Sequence, residues 1–257
     1  MKNILVIIAA LVFFSSCKKE NAKVDIKPIE KIKLGEVTTV KNEQVTLWSE
    51  ENLTTGFHRV YLSVTDASDK LVSNAQIVLQ PMMKMSMMSH SSPVEQPVYN
   101  AVSKLYEGAV VFTMPSGSDS WAVKATINDE EKVFNVVIPT AATKVVGSYS
   151  GLDGSKYVLS LIPPKKWSVG LNDVEILINK NVSMMSFPGV DDFQLTMTPE
   201  MPSMGHGSPN NVDPVSSGKG RYKGKVNFTM TGDWRLHFKL VKAGVTVVED
   251  ATIDLLF

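Results

Sequence analysis

From Val45 to the C-terminus the chain alternates apolar and polar residues in short runs, broken by Gly, Pro, Asn and Asp. Phe57-His58-Arg59-Val60-Tyr61-Leu62-Ser63-Val64 is such a run, rich in β-branched and aromatic side chains. Ala75–Leu79, Gly108–Met114, Trp121–Ile127 and Lys132–Ile138 continue the series. A second series comprises Tyr157–Leu161, Val174–Ile178, Phe193–Met197, Lys225–Met230, Trp234–Leu240 and Val245–Leu256. Alternation with a period of two turns one face of each run inward and the other outward, which is the mark of a half-buried strand. No stretch sustains a period of 3.6. Short strands at this spacing predict an all-β sandwich.

The two series also match each other. Placing His90 on His206 sets an offset of 116 residues. Met85 and Met88 then fall on Met201 and Met204, Tyr106 on Tyr222, Gly108 on Gly224, Phe112 on Phe228 and Met114 on Met230. Trp121 and Trp234 follow, three residues out of phase. Upstream, Val60, Leu62 and Val64 match Val174, Ile176 and Ile178 once a two-residue insertion is allowed. Repetition of both motif and spacing points to a tandem duplication. The expected organisation is a signal segment over 1–16, a lipidated cysteine and flexible tether over 17–44, a first sandwich over 45–141, a linker over 142–154 and a second sandwich over 155–257. Gly147, Ser148, Ser150, Gly151 and Gly154 mark the linker. Lysines and acids interleaved over 18–44 mark the tether, although a first strand around Val37–Val40 fits as well.

The N-terminus has Lys2, then an apolar run from Ile4 to Phe14, then small residues, which is the pattern of a secretory signal. The apolar run is too short to span a bilayer, which takes about 20 residues. Phe14-Ser15-Ser16-Cys17 resembles the lipobox of bacterial lipoproteins, in a loose variant common in Bacteroidetes-type sequences. That resemblance implies lipidation of Cys17 and anchoring in the cell envelope. The outer membrane, facing the periplasm, is favoured by analogy.

Composition narrows the chemistry. The chain carries 26 basic and 26 acidic residues, so broad electrostatic attraction to nucleic acid is disfavoured. A single cysteine rules out an internal disulfide and a Cys-based zinc site. No Ser/His/Asp constellation, His/Glu metal cluster or phosphate-cradling glycine loop is visible, so no catalytic residue is assigned. The 13 methionines stand out.

Five of the seven residues from Met82 to Met88 are methionine, and His90 follows. The second series has Pro199-Glu200-Met201-Pro202-Ser203-Met204-Gly205-His206. The shared core is Met-x-x-Met-x-His. Thioether sulfur is soft, neutral and suited to Cu(I), and imidazole suits copper too. Thiolates would tend to oxidise outside the cytoplasm, whereas thioethers need no deprotonation. Positions i, i+3 and i+5 share no single face of a strand or helix, so they converge only on a turn or loop. The candidate metal ligands are therefore Met85, Met88 and His90, and Met201, Met204 and His206. Met83 and Met87 are additional candidates, as are Met114 and Met230, although core packing suits that last pair better. The same runs also fit an adaptable contact surface for a protein partner, or plain packing. His58 and His237 have no histidine counterpart in the other copy, His237 reads as a sheet-face residue, Trp121 and Trp234 read as core anchors, Asp191-Asp192 reads as a solvated pair, and Met184-Met185 reads as loop or partner surface of unexplained role.

The second series resembles the YtkA-like (FixH-like) domain family. The residues that carry the resemblance are Met201-Pro202-Ser203-Met204-Gly205-His206, then Tyr222 and Gly224, then Phe228, Met230, Gly232 and Trp234. The first series is a divergent match that lacks the loop proline. The resemblance implies a small Ig-like sandwich, found outside the cytoplasm beside copper-handling and efflux proteins, with no established catalytic activity. The expected function is a lipid-anchored protein binding Cu(I) for copper trafficking or tolerance, with efflux or oxidase-assembly proteins as partners. The alternative is a non-metal envelope interaction module.

Overall fold

The computed structural model describes residues 30–257. The signal segment, Cys17 and the first part of the expected tether lie outside them. Among the described residues every regular element is a strand. The first domain holds β1 (Ile32–Thr38), β2 (Gln44–Ser49), β3 (Gly56–Thr65), β4 (Ile77–Lys84), β5 (Ser89–Ser91), β6 (Val94–Asn100), β7 (Leu105–Phe112), β8 (Ser120–Ile127) and β9 (Glu130–Val136). The second holds β10 (Val146–Ser150), β11 (Lys156–Ile162), β12 (Gly170–Asn181), β13 (Gln194–Met201), β14 (His206–Gly207), β15 (Val212–Gly218), β16 (Arg221–Phe228), β17 (Asp233–Lys242) and β18 (Val245–Leu256).

Each domain is an Ig-like sandwich of two antiparallel sheets. In the first, the sheet β1-β2-β3-β7-β6 faces β5-β4-β8-β9. In the second, β10-β11-β12-β16-β15 faces β14-β13-β17-β18. Adding nine to every strand number converts the first arrangement into the second, so the internal repetition extends to every strand. The alternation produces the layers directly. Along β8, Trp121, Val123, Ala125 and Ile127 are buried while their neighbours are not, and Trp234, Leu236, Phe238 and Leu240 repeat this on β17.

The same polar devices close both sandwiches. The Tyr106 hydroxyl donates to the Val72 carbonyl (2.9 Å) and accepts from Ala75 N–H (2.8 Å). The Tyr222 hydroxyl does likewise with Val190 (2.8 Å) and Phe193 (3.1 Å). Burial pushes the Tyr222 hydroxyl up to about 12, so it remains a neutral donor. Gln96 on β6 and Asp213 on β15 reach across to backbone amides of β4 and β13, satisfying donors on otherwise open edges. At the start of β3 the His58 ring bonds the backbone of Thr54. Asn172 on β12 does the same for Ser168.

Two expected boundaries are corrected. Residues 32–38 are not tether, because β1 pairs with β2 from Ile32↔Ser49 to Thr38↔Gln44. Leu34 and Val37 pack against the first core, while the lysines and acids of this segment occupy an edge strand where charge discourages further pairing. Nor is 142–154 a free linker. β10 pairs with β11, and Tyr149 packs on the second core. A side chain at Gly147 would overlap the Tyr149 ring, so this glycine permits a close approach rather than flexibility. The remaining connection is fastened on both sides. Ala141 N–H donates to Thr55 Oγ1 (2.9 Å), and Asp254 N–H donates to the Lys144 carbonyl (2.8 Å).

The five-stranded sheets also bury their outer faces against each other. Phe57, Ala109 and Val111 of the first domain meet Val158, Ile162 and Leu177 of the second, with Phe187 alongside. Arg221 locks the rim, donating to both carboxylate oxygens of Glu95 across the interface (2.7 and 2.6 Å) and to Glu175 (2.8 Å). Those hydrogen bonds hold the Arg221 guanidinium well above its ordinary range. The near-continuous apolar run of β11 reflects burial on both faces.

Candidate metal site

Each candidate site is a hairpin at one end of a four-stranded sheet. In the first domain β4 turns into β5, with Met83 opposite His90 and Lys84 opposite Ser89. Met85 N–H donates to the Met88 carbonyl (2.9 Å) and closes a four-residue turn. In the second domain β13 turns into β14, with Met201 opposite His206, and residues 202–205 form the turn. Directly opposed residues share one face of a ladder. On that face lies an indole. The His90 and Trp121 rings meet edge-on at 5.7 Å, and the His206 and Trp234 rings at 5.9 Å. Trp121 Nε1–H donates to the Met114 carbonyl and Trp234 Nε1–H to the Met230 carbonyl, each at 3.0 Å.

The histidines are oriented identically. His90 Nδ1 lies 2.9 Å from the Ser91 carbonyl, and His206 Nδ1 lies 3.0 Å from the Gly207 carbonyl. A carbonyl only accepts, so in the neutral ring the proton sits on Nδ1 and Nε2 keeps its lone pair. Neither Nε2 has a hydrogen-bond partner among the described residues. A backbone carbonyl holding the far nitrogen is the usual way a protein presents imidazole to a metal.

The thioethers divide into two levels. Met83 and Met201 are 2% and 5% exposed and belong to the two cores. Met88 and Met204 are exposed, Met85 is half-buried against the core, and Met87 is 94% exposed. The structural equivalence therefore differs from the sequence alignment. Met83, not Met85, occupies the place of Met201, because the first hairpin is one rung longer. Met87 then stands at the third turn position, as Met204 does. Met114 and Met230 do not lie on strands. They follow the ends of β7 and β16, and their backbone carbonyls hold the indoles.

Among the described residues, the second turn is the one held by a side chain from another strand. Ser203 N–H donates to Asp233 (3.1 Å), and the Ser203 hydroxyl also bonds that carboxylate. These bonds hold the Asp233 carboxyl below its ordinary range. Gly232, at φ 139°, lies where a side chain would overlap the Met201 methyl. Sequence spacing gives no sign of the Ser203–Asp233 contact, which joins the turn to the start of β17.

Other candidates resolve differently. Both His237 nitrogens are taken, by Asp250 and Glu200 at 2.9 Å each. Asp191 is not simply solvated, since it accepts the backbone N–H groups of Lys219 and Gly220. Among the described residues no three or more His, Cys, Asp or Glu side chains gather as a metal site. A cleft of about 750 Å³ opens between the domains beside Phe57, Arg59, Tyr61 and Glu175, and neither Met–His hairpin lines it.

Residues 155–239 match the YtkA-like family model. The second domain is similar to YtkA-like domains. Its matched span covers β11 through most of β17, including Met201, Met204, His206 and Trp234. No curated protein matches the chain. Similar solved structures include InvD of Yersinia pseudotuberculosis at 13% identity, covering 79% of this chain and 53% of that one, with a TM-score of 0.28. The Escherichia coli adhesin FdeC has 13% identity, covers 83% and 64%, and gives a TM-score of 0.30. Domains 5–6 of the S-layer protein SbsC have 11% identity, cover 88% and 99%, and give 0.30. The chain thus spans about half of InvD and under two thirds of FdeC.

Proposed function

We propose that this protein binds Cu(I) outside the cytoplasm, one ion per domain, through methionine thioethers and one histidine, and that it serves copper trafficking or tolerance. The observation that carries this reading is the duplicated imidazole, with Nδ1 held by the next carbonyl and Nε2 unpartnered beside methionine in both domains. The donor set is neutral and soft, which suits Cu(I) or Ag(I) and suits hard cations poorly. His206, Met201 and Met204 would hold the ion in the second domain. His90 would hold it in the first, with Met83, Met85, Met87 and Met88 nearby. Met114 and Met230 serve as indole acceptors through their carbonyls. The first domain is then a divergent YtkA-like copy. Lipidation at Cys17 would anchor the protein in the envelope, within reach of an efflux or oxidase-assembly partner.

Titration of the full chain in detergent with Cu(I), against a competing chelator, tests the reading. Two equivalents are expected, falling to one when Met201, Met204 and His206 are replaced by Ala. The second reading, a non-metal interaction module, is favoured by the exposure of Met87 and Met88 as an adaptable apolar contact. Under it, Met→Leu changes at Met85, Met88, Met201 and Met204 preserve partner binding, and the protein does not compete with the chelator for Cu(I).

A further inference from the structure

Met184 and Met185 have no counterpart in the repeat and no place in either core. They form the tip of a hairpin between β12 and β13, in the second domain. Ser183 and Ser186 pair across this tip, Val182 N–H donates to the Ser186 carbonyl (3.0 Å), and Met185 N–H donates to Ser183 Oγ (3.2 Å). The base is equally fixed. Lys180 N–H donates to the Pro188 carbonyl, Asn179 Nδ2 donates to the Phe187 carbonyl, and Phe187 packs in the interdomain cluster. This rigid hairpin nonetheless presents two exposed methionines.

The tip does not stand alone. Ser91 N–H, on β5 of the first domain, donates to the Met184 carbonyl at 2.7 Å. Ser91 adjoins His90, whose Nε2 is unpartnered among the described residues, and its own carbonyl is the group that orients the His90 ring. One backbone segment thus holds both the histidine and the second domain's methionine tip. Met87 and Met88, also exposed, lie at the adjacent turn. That backbone contact sets the tip carrying Met184 and Met185 against the strand that carries His90, in the hairpin whose turn carries Met87 and Met88. Clustered exposed apolar side chains mark interaction sites, and thioether and imidazole donors offered together suit a soft metal.

We infer that the first domain's soft-metal site is a composite, completed across the interface by Met184 and Met185 of the second domain, so that the ion also fastens the two domains together. The inference rests on the metal reading above and names further ligands for it. The second domain's own site has Asp233 pinning its turn instead. The two sites therefore differ, one lying within a domain and the other between domains.

The test uses the full chain in detergent and Ag(I), a redox-inert probe for Cu(I). Replacing Met184 and Met185 by Leu keeps the volume and removes the sulfur. One of the two Ag(I) equivalents should then bind about tenfold more weakly or worse, the scale at which supporting groups around a metal act. The equivalent lost with Met201→Ala and Met204→Ala should keep its affinity. As a readout that needs no variant, peroxide oxidation of the wild-type chain is mapped by mass spectrometry. Ag(I) should slow sulfoxidation at Met184 and Met185 together with Met87 and Met88. Two undiminished equivalents in the Leu variant, or protection of the first loop without Met184 and Met185, would overturn the composite site and leave the metal reading standing. Absence of any Ag(I) binding in the wild type would overturn both.

Discussion

The two Met–His hairpins share a base and differ at the tip. At the base, a buried methionine faces a histidine, and an indole lies edge-on to that histidine. At the tip, the second hairpin has a short turn with Gly205 in the left-handed region at φ 64°, fastened by Asp233. The first is one rung longer, and its contact with the other domain is made from β5, at Ser91, rather than from the turn. The base is part of the sandwich core, where close packing tolerates little change. The turn lies outside the core, so its length and fastening can diverge while the histidine stays in place. Between the domains, conserved packing therefore marks what the fold requires, and divergent fastening marks where each site takes its own character.

The equivalence can be broken or sharpened by paired substitutions. The largest effect is expected from the indoles. Trp121→Ala and Trp234→Ala should each lower unfolding free energy by about 3–5 kcal/mol, read by urea unfolding of the full chain. A cost confined to one domain would end the claim that the bases are equivalent. Next come the glycines that follow β16 and β7. Gly232→Ala forces an L side chain into φ 139° and onto Met201, and should cost about 3 kcal/mol. Gly117→Ala, at φ 56° with open space around it, should cost about 1 kcal/mol. Thermal unfolding that ranks the pair the other way would refute the account of the Gly232–Met201 contact.

The smallest expected effect concerns His58. Burial holds its imidazole below the ordinary value of 6.5, with Glu51 opposing that shift. The unfolded chain therefore binds a proton more readily than the folded one as pH falls below 6.5. This group's contribution to stability is complete above that value and declines on acidification. Asn172 occupies the equivalent place in the second domain without titrating. His58→Asn should keep the bond to Thr54 and remove that part of the pH dependence. Hydrogen exchange of the β3 amides at pH 7 and 5.5 measures it, and an unaltered pH dependence in the variant would show that His58 is not its source.

Much of the fold is legible in the sequence because alternation is a local property. Trp121–Ile127 and Trp234–Leu240 read as strands from their own residues and are strands. β1 was hidden by its lysines, whose charge suits a tether and an edge strand equally. β10 was hidden by glycines that look like flexible linker but make room for Tyr149. The candidate site was half legible. His90, His206 and the methionine excess are visible in the chain. The alignment paired Met85 with Met201, because counting back from the histidine cannot detect an added rung in a hairpin, and the structure puts Met83 there instead.

The sequence by itself determined an all-β chain written twice, with soft donors concentrated in two loops, because periodicity and residue chemistry are carried by each segment alone. Only the tertiary structure decided which methionine faces which histidine, which imidazole nitrogen is held, and that two sandwiches pack sheet against sheet with Met184 beside Ser91. Those outcomes depend on strand register and on contacts between residues far apart in the chain, and neither leaves a local pattern to read.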